Sequence, residues 1–123
     1  MQKIILLCED DQDLAELMAM VLGTLHTVVP VPDGEAAIRL LCGPCRPDLL
    51  LTDLQLPGVD GLAVARLARL LLPGLPILLC SGSGIKPAGE GVLYDAYLAK
   101  PFDVGGLLGV AGDLLMGAER LAG

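Results

Sequence analysis

The sequence predicts an α/β fold in which a five-stranded parallel sheet carries helices on both faces. Three observations lead there. Short apolar runs recur at residues 4–8, 27–31, 48–52, 76–80 and 96–98, bounded by Pro, Gly or Asp, as buried parallel strands are. Helix-length intervals separate these runs, and strict alternation of the two element types implies right-handed crossovers between parallel strands. The hydrophobic fraction is 54% with only 2% aromatic, so the core must be built from Leu, Val, Ile and Ala, which suits helices packed on a parallel sheet.

The elements follow in order. Ile4-Ile5-Leu6-Leu7-Cys8 reads as the first strand. Asp11 is placed as an N-cap, and Leu14, Leu17, Met18, Val21, Leu22 and Leu25 recur behind it at three- and four-residue spacing, predicting an amphipathic first helix. After the second strand at 27–31, Asp33 caps a second helix that ends near Gly43 and Pro44. The third strand, 48–52, leads to a helix over residues 60–72. This helix is apolar on most of its circumference, with Arg66 and Arg69 as its only charges after Asp60, so part of it is expected to stay exposed for a partner. Beyond the fourth strand at 76–80, Gly82, Gly84, Gly89, Gly91 and Pro87 leave little to make a fourth helix. At most a single turn over residues 90–93 is expected. A short fifth strand at 96–98 precedes Asp103 and a last helix repeating Leu107, Ala111, Leu114, Ala118 and Leu121. Five glycines, Gly105, Gly106, Gly109, Gly112 and Gly117, weaken that helix and make it depend on tertiary packing.

Composition bounds the function. A chain of 123 residues is one domain, 1–123, with room for one core and none for a separate effector module, so a DNA-binding or enzymatic output is expected on another chain. The net charge is -7 and the eight Lys and Arg residues are scattered, which argues against direct nucleic-acid binding. The longest uncharged stretch, residues 70–85, is 16 residues and is broken by Pro73, Pro76 and three glycines, so no membrane contact is expected. The apolar run before Glu9 is too short for a signal peptide, and the four cysteines are then expected as reduced thiols in a cytoplasmic protein.

Four apolar segments end in groups suited to phosphoryl chemistry. Glu9 and Asp10 follow the first, Asp53 the third, Ser81 the fourth and Lys100 the fifth. Ligands of parallel sheets bind at strand carboxyl ends, and carboxylates converging there can hold Mg2+, which prefers hard oxygen ligands. Moving a phosphoryl group onto a carboxylate brings two anions together, so a divalent cation and a fixed cation are both needed. The stretch Pro47-Asp48-Leu49-Leu50-Leu51-Thr52-Asp53-Leu54-Gln55-Leu56-Pro57-Gly58-Val59-Asp60-Gly61 resembles the phosphorylation segment of the response-regulator receiver domain. Tyr97-Leu98-Ala99-Lys100-Pro101-Phe102 resembles its lysine segment, and the likeness covers nearly the whole chain.

That resemblance implies a doubly wound, flavodoxin-like sheet of strand order 2-1-3-4-5, which sets the first and third strands side by side. It implies that Asp53 is the phosphoacceptor and that Glu9, Asp10, Asp53 and the backbone carbonyl of Gln55 hold Mg2+. Ser81 and Lys100 would each meet a phosphoryl oxygen, with a cis Lys100-Pro101 bond aiming the amine, and Tyr97 would turn inward as Ser81 moves. The implied function is two-component signalling, with a sensor histidine kinase or phosphotransfer protein as donor and an effector protein as reader. A phosphorylation-dependent dimer also belongs to the pattern, as does slow self-dephosphorylation by a phosphoacceptor that is not an enzyme. The poor fourth helix puts the family's usual output face in doubt.

Other readings fit less well. Lys86-Pro87 follows no strand and reads as a solvated loop. Cys42-Gly43-Pro44-Cys45 spells the thioredoxin tetrapeptide, but Cys42 falls at a helix C-terminus, where the dipole disfavours thiolate. Cys8 and Cys80 lie on strands separated by the third, roughly 10 Å apart, too far to bridge. An aspartyl-nucleophile phosphatase would want a second aspartate at position 55, which is Gln, and a pseudo-receiver would lack some of the acids, hydroxyl or lysine that are all present. His26 is the single histidine and sits at a helix exit, unsuited to act as the chain's own phosphohistidine.

Overall fold

The computed structural model of the chain describes residues 2–44, 46–82 and 94–122. Five strands, β1 (Ile4–Cys8), β2 (Thr27–Val31), β3 (Leu49–Asp53), β4 (Ile77–Ser81) and β5 (Ala96–Ala99), pair in parallel in the order β2-β1-β3-β4-β5. The helices among the described residues are α1 (Gln12–Leu22), α2 (Gly34–Cys42), α3 (Gly61–Leu71) and α4 (Val104–Ala122). The expected weak fourth helix falls almost wholly on residues 83–93, outside the described residues, as do Lys86 and Cys45.

Alternation along the strands splits the core in two. Ile5, Leu7, Leu49, Leu51, Leu78 and Cys80 face Met18 and Leu22 of α1 and Leu107, Ala111 and Leu115 of α4. Leu6, Cys8, Leu50 and Ile77 face Ala37 and Leu41 of α2 and Val64, Ala65 and Ala68 of α3. The helices therefore cover both faces, and a strand covered on both faces is expected to be apolar, as β3 is through Leu51 and β4 through Cys80. Cys8 and Cys80 fall on opposite faces as well as on separated strands, which confirms that they cannot bridge.

Each of the four helices among the described residues starts at an aspartate. The side chain of Asp11 accepts from the Leu14 N–H, Asp33 from Ala36, Asp60 from Ala63 and Asp103 from Gly106. Each satisfies one of the amide donors that a first helical turn leaves unpaired. At the opposite end of the sheet two aspartates tie strands together: Asp48 Oδ2 accepts from the Ile4 N–H at 2.8 Å, and Asp95 Oδ2 from the Ile77 N–H at 2.8 Å. Pro30 sits within β2, tolerable because β2 is an edge strand.

Several expectations are corrected. β3 and β4 end one residue later than the apolar runs do, at Asp53 and Ser81, because the ladder continues through Leu54 N–H to Cys80 O at 2.7 Å and Lys100 N–H to Ser81 O at 2.9 Å. α1 stops at Leu22 with Gly23 as its cap, so Leu25 lies beyond the helix and is exposed, and Leu17 is exposed within it, although both match the helical spacing. In α4 Leu115 belongs to the buried core, whereas Leu114 is only partly buried and packs against it. α3 bears out its exposed apolar surface, with Leu70 75% accessible. No helix among the described residues is long and apolar enough to cross a membrane.

Gly109 and Gly112 lie within α4 with nothing near where a Cβ would stand. Alanine at either position should stabilise the domain by up to about 1 kcal/mol. The gain would appear as a higher urea midpoint at unchanged m-value, and its absence would mean that α4 is not a continuous helix there.

Candidate functional site

Register alone brings the candidate residues into one row. Cys8 pairs with Thr52, Asp53 with Cys80 and Ser81 with Ala99, so the residues at or just beyond the carboxyl ends of β1, β3, β4 and β5 are Glu9, Asp53, Ser81 and Lys100. Glu9, Asp53 and Ser81 are buried, at 3%, 7% and 0% exposure. Asp10 is exposed at the rim.

Lys100 joins the two buried acids. Its Nζ donates to Glu9 Oε1 at 2.7 Å and to Asp53 Oδ2 at 3.0 Å. The remaining oxygens are met by backbone: Glu9 Oε2 accepts from the Asp11 N–H at 3.1 Å, and Asp53 Oδ1 from the Gln55 N–H at 3.3 Å. The Lys100-Pro101 peptide is cis, as the resemblance implies.

Burial pushes the Glu9 carboxyl above the usual carboxylate range, against the hydrogen bonds from Lys100 and Asp11 that favour its anion. Burial also disfavours the Lys100 ammonium, but the hydrogen bonds to Glu9 and Asp53 outweigh it and hold its pKa above the ordinary 10.5. Burial pushes the Cys8 and Cys80 thiols up to about 12, so both are protonated core residues. Cys42 is exposed at the last position of α2, as the sequence predicts.

Glu9, Asp10 and Asp53 each offer one carboxylate oxygen, and these lie within 4.8 Å of one another. An all-oxygen donor set of that size, already drawing a cation in Lys100, fits a hard divalent ion such as Mg2+. Tyr97 is half-buried on edge strand β5, its ring 6.5 Å from that of Tyr94 and tilted by 55°. Neighbours Ala96 and Leu98 pack on the α1 and α4 side, which puts Tyr97 on the other face.

Two features escape sequence reasoning. The Lys100 to Glu9 contact joins residues 91 apart in sequence, and no local pattern signals it. Gly61 sits against the backbone of Asp53 and Leu54; in sequence it shows only as the glycine that ends the segment resembling the family's phosphorylation segment, and nothing in the pattern indicates this close approach.

Comparison with known proteins agrees with this geometry. The sequence profile of the response regulator receiver domain matches residues 5–111. The response regulator protein FleR of Pseudomonas aeruginosa is 37% identical over 109 residues, covering 85% of this chain and 23% of FleR. The DNA-binding response regulator MtrA of Mycobacterium tuberculosis is 33% identical over 111 residues, covering 83% of this chain and 46% of MtrA. The chain thus spans less than half the length of these relatives. Among solved structures, a putative response regulator from Chloroflexus aurantiacus superposes with a TM-score of 0.81 at 28% identity, covering 94% of this chain and 99% of that one. A CheY-like receiver domain protein from Methanospirillum hungatei superposes at 0.86 with 21% identity, covering 98% of each chain, and shows the fold.

Removing the ammonium should expose the strain it relieves. Lys100→Met should cost on the order of 3 kcal/mol near pH 7, where two buried carboxylates lose their cation. With a raised folded pKa, Lys100 contributes stability that is complete below 10.5 and is lost as pH rises through the folded value. Glu9, also raised, acts in the same sense: its contribution is complete below the usual carboxylate range and is lost as pH climbs through its raised folded value. The penalty of Lys100→Met should therefore shrink near pH 4, where Glu9 takes up a proton. Urea unfolding at both pH values measures it, and equal losses would rule out the ion pair as the source. In a separate experiment, iodoacetamide near pH 8 should modify Cys42 in the native protein and spare Cys8 and Cys80, read by peptide mass. Labelling of the buried pair at the rate of Cys42 would contradict their burial.

Proposed function

The chain belongs to the response regulator receiver domain family, and on that premise we propose that it accepts a phosphoryl group on Asp53. The supporting observation is the buried Asp53 carboxylate, held between a backbone N–H and the Lys100 ammonium beside two further acids. A sensor histidine kinase or phosphotransfer protein presents a phosphohistidine. An Asp53 oxygen forms the new O–P bond as the N–P bond breaks, and the imidazole leaves with the electron pair and then takes a proton from water. Glu9, Asp10, Asp53 and the Gln55 carbonyl would hold Mg2+, which when bound offsets the charge of the clustered carboxylates and the incoming donor.

The chain's own residues do the rest. Lys100, which contacts Glu9 and Asp53, supplies a fixed positive charge beside the acceptor and would pair with a phosphoryl oxygen once Asp53 is modified. Ser81, at the end of the neighbouring strand, donates its hydroxyl to another. Its movement toward the phosphoryl group makes room for Tyr97 to turn inward, and an effector protein or a second receiver reads the altered face. Slow loss of the phosphoryl group to water resets the switch, and the protein works in the cytoplasm as a phosphoacceptor, not as an enzyme acting on a separate substrate.

Intact-protein mass after treatment with a small acyl phosphate is the test. One phosphate should be gained when Mg2+ is present and none with a chelator, and Asp53→Asn should abolish the gain. Modification of the Asn variant to the wild-type extent would refute the assignment of Asp53.

A further inference from the structure

Gly61 touches the residue on which the proposed reaction depends. β3 ends at Asp53, and the loop of residues 54–60 returns the chain to α3 at Gly61. The Leu54 N–H donates to Cys80 O at 2.7 Å, and Leu54 O accepts from the Gly61 N–H at 2.9 Å. Leu54, directly after Asp53, is thus pinned through its N–H to β4 and through its carbonyl to the start of α3. A Cβ built on Gly61 would collide with the carbonyl oxygen of Asp53 and stand 2.9 Å from both its carbonyl carbon and Leu54 Cα. These are all backbone atoms, so no side-chain rotation relieves the clash.

We propose that Gly61 is a positioning residue for Asp53: the missing Cβ lets α3 seat directly on the Asp53-Leu54 peptide, and this seating sets where the carboxylate points. This deepens the phosphoacceptor reading and rests on it for its functional meaning. α3 has little freedom to lift away, since Asp60 caps it and Val64, Ala65 and Ala68 are fully buried. A larger residue at 61 therefore turns the Asp53-Leu54 peptide instead. That rotation carries Asp53 Oδ1 off the Gln55 N–H and Oδ2 off Lys100, and it moves the Gln55 carbonyl with them.

A second glycine braces the same loop from behind. A Cβ on Gly34, the first residue of α2, would stand 2.5 Å from Val59 O and 3.1 Å from both Val59 Cβ and Val64 Cγ2. α2 therefore leans on the residue just before the Asp60 cap. Gly58, at φ 73°, makes the turn between them. One glycine in this loop region serves backbone conformation, and the two at helix starts serve close approach.

The test compares Gly61→Ala and Gly34→Ala with Leu115→Ala, which removes core packing on the opposite sheet face, away from this loop. Three readings are taken on each folded protein: urea stability, the 13C resonance of the Asp53 carboxyl without metal, and Mg2+ affinity by calorimetry. Gly61→Ala should shift the Asp53 resonance and weaken Mg2+ binding roughly tenfold or more, as loss of a ligand-orienting group does. Gly34→Ala should move both in the same direction by less, and Leu115→Ala should lower stability while leaving both as in wild type. Should Gly61→Ala fail to fold, Gly34→Ala carries the same comparison. Wild-type resonance and Mg2+ affinity in a folded, destabilised glycine variant would reduce these glycines to packing and overturn the proposal. A shifted Asp53 resonance in proteins whose wild type takes up no phosphate would uphold the positioning and sink the phosphoacceptor reading instead.

Discussion

The ammonium of Lys100, 2.7 Å from Glu9 and 3.0 Å from Asp53, is the interaction on which the site end of the molecule depends. Two carboxylates at 3% and 7% exposure cannot stay ionised side by side in a poorly polarisable interior without a cation. Desolvating three charged groups offsets much of their Coulomb attraction, so the cluster adds little to net stability. What it imposes is position. Glu9, Asp53 and Lys100 come from the ends of three different strands, and they meet only if β1, β3 and β5 end at the same level of the sheet. An electrostatic demand at one end thus becomes a constraint on the register of the whole.

The same end collects the helix starts. In a parallel sheet each crossover helix begins where a strand finishes, so Asp11, Asp33, Asp60 and Asp103 cap their helices on the side where Glu9, Asp10 and Asp53 converge. The first turns direct their positive dipole ends toward that side, which tempers a surface otherwise dense in carboxylates. The other end is held by different means, with the carboxylates of Asp48 and Asp95 accepting from first-residue amides of neighbouring strands. Aspartate therefore works at both ends, as a helix cap near the site and as a strand clamp away from it.

Packing carries the demand inward. Because β3 and β4 are covered on both faces, the strand that ends at Asp53 is flanked by apolar clusters and has only its carboxyl end open to chemistry. α3 seats on that end through a residue with no side chain, so the core that buries Val64 and Ala68 also limits how far the Asp53 peptide can turn. Core and site share a backbone here, and changes in one are felt in the other.

Local pattern decided much of this protein. Two of the capping aspartates, Asp11 and Asp33, five apolar runs and two short segments around Asp53 and Lys100 were legible because caps, strand hydrophobicity and strand-end chemistry are written within a few residues. Helix spacing could not separate Leu17 and Leu25, which are exposed, from Met18 and Leu22, which are buried, since periodicity marks a stripe and only the facing element sets its width. Nor could the apolar runs show that Asp53 and Ser81 still belong to the ladder, because strand ends are set by hydrogen bonds to the neighbouring strand. The contact of Lys100 with Glu9 and the approach of Gly61 to Asp53 were decided by tertiary structure alone. Both join residues that are distant or separated by a loop, and a one-dimensional pattern does not encode the distance that folding closes between them.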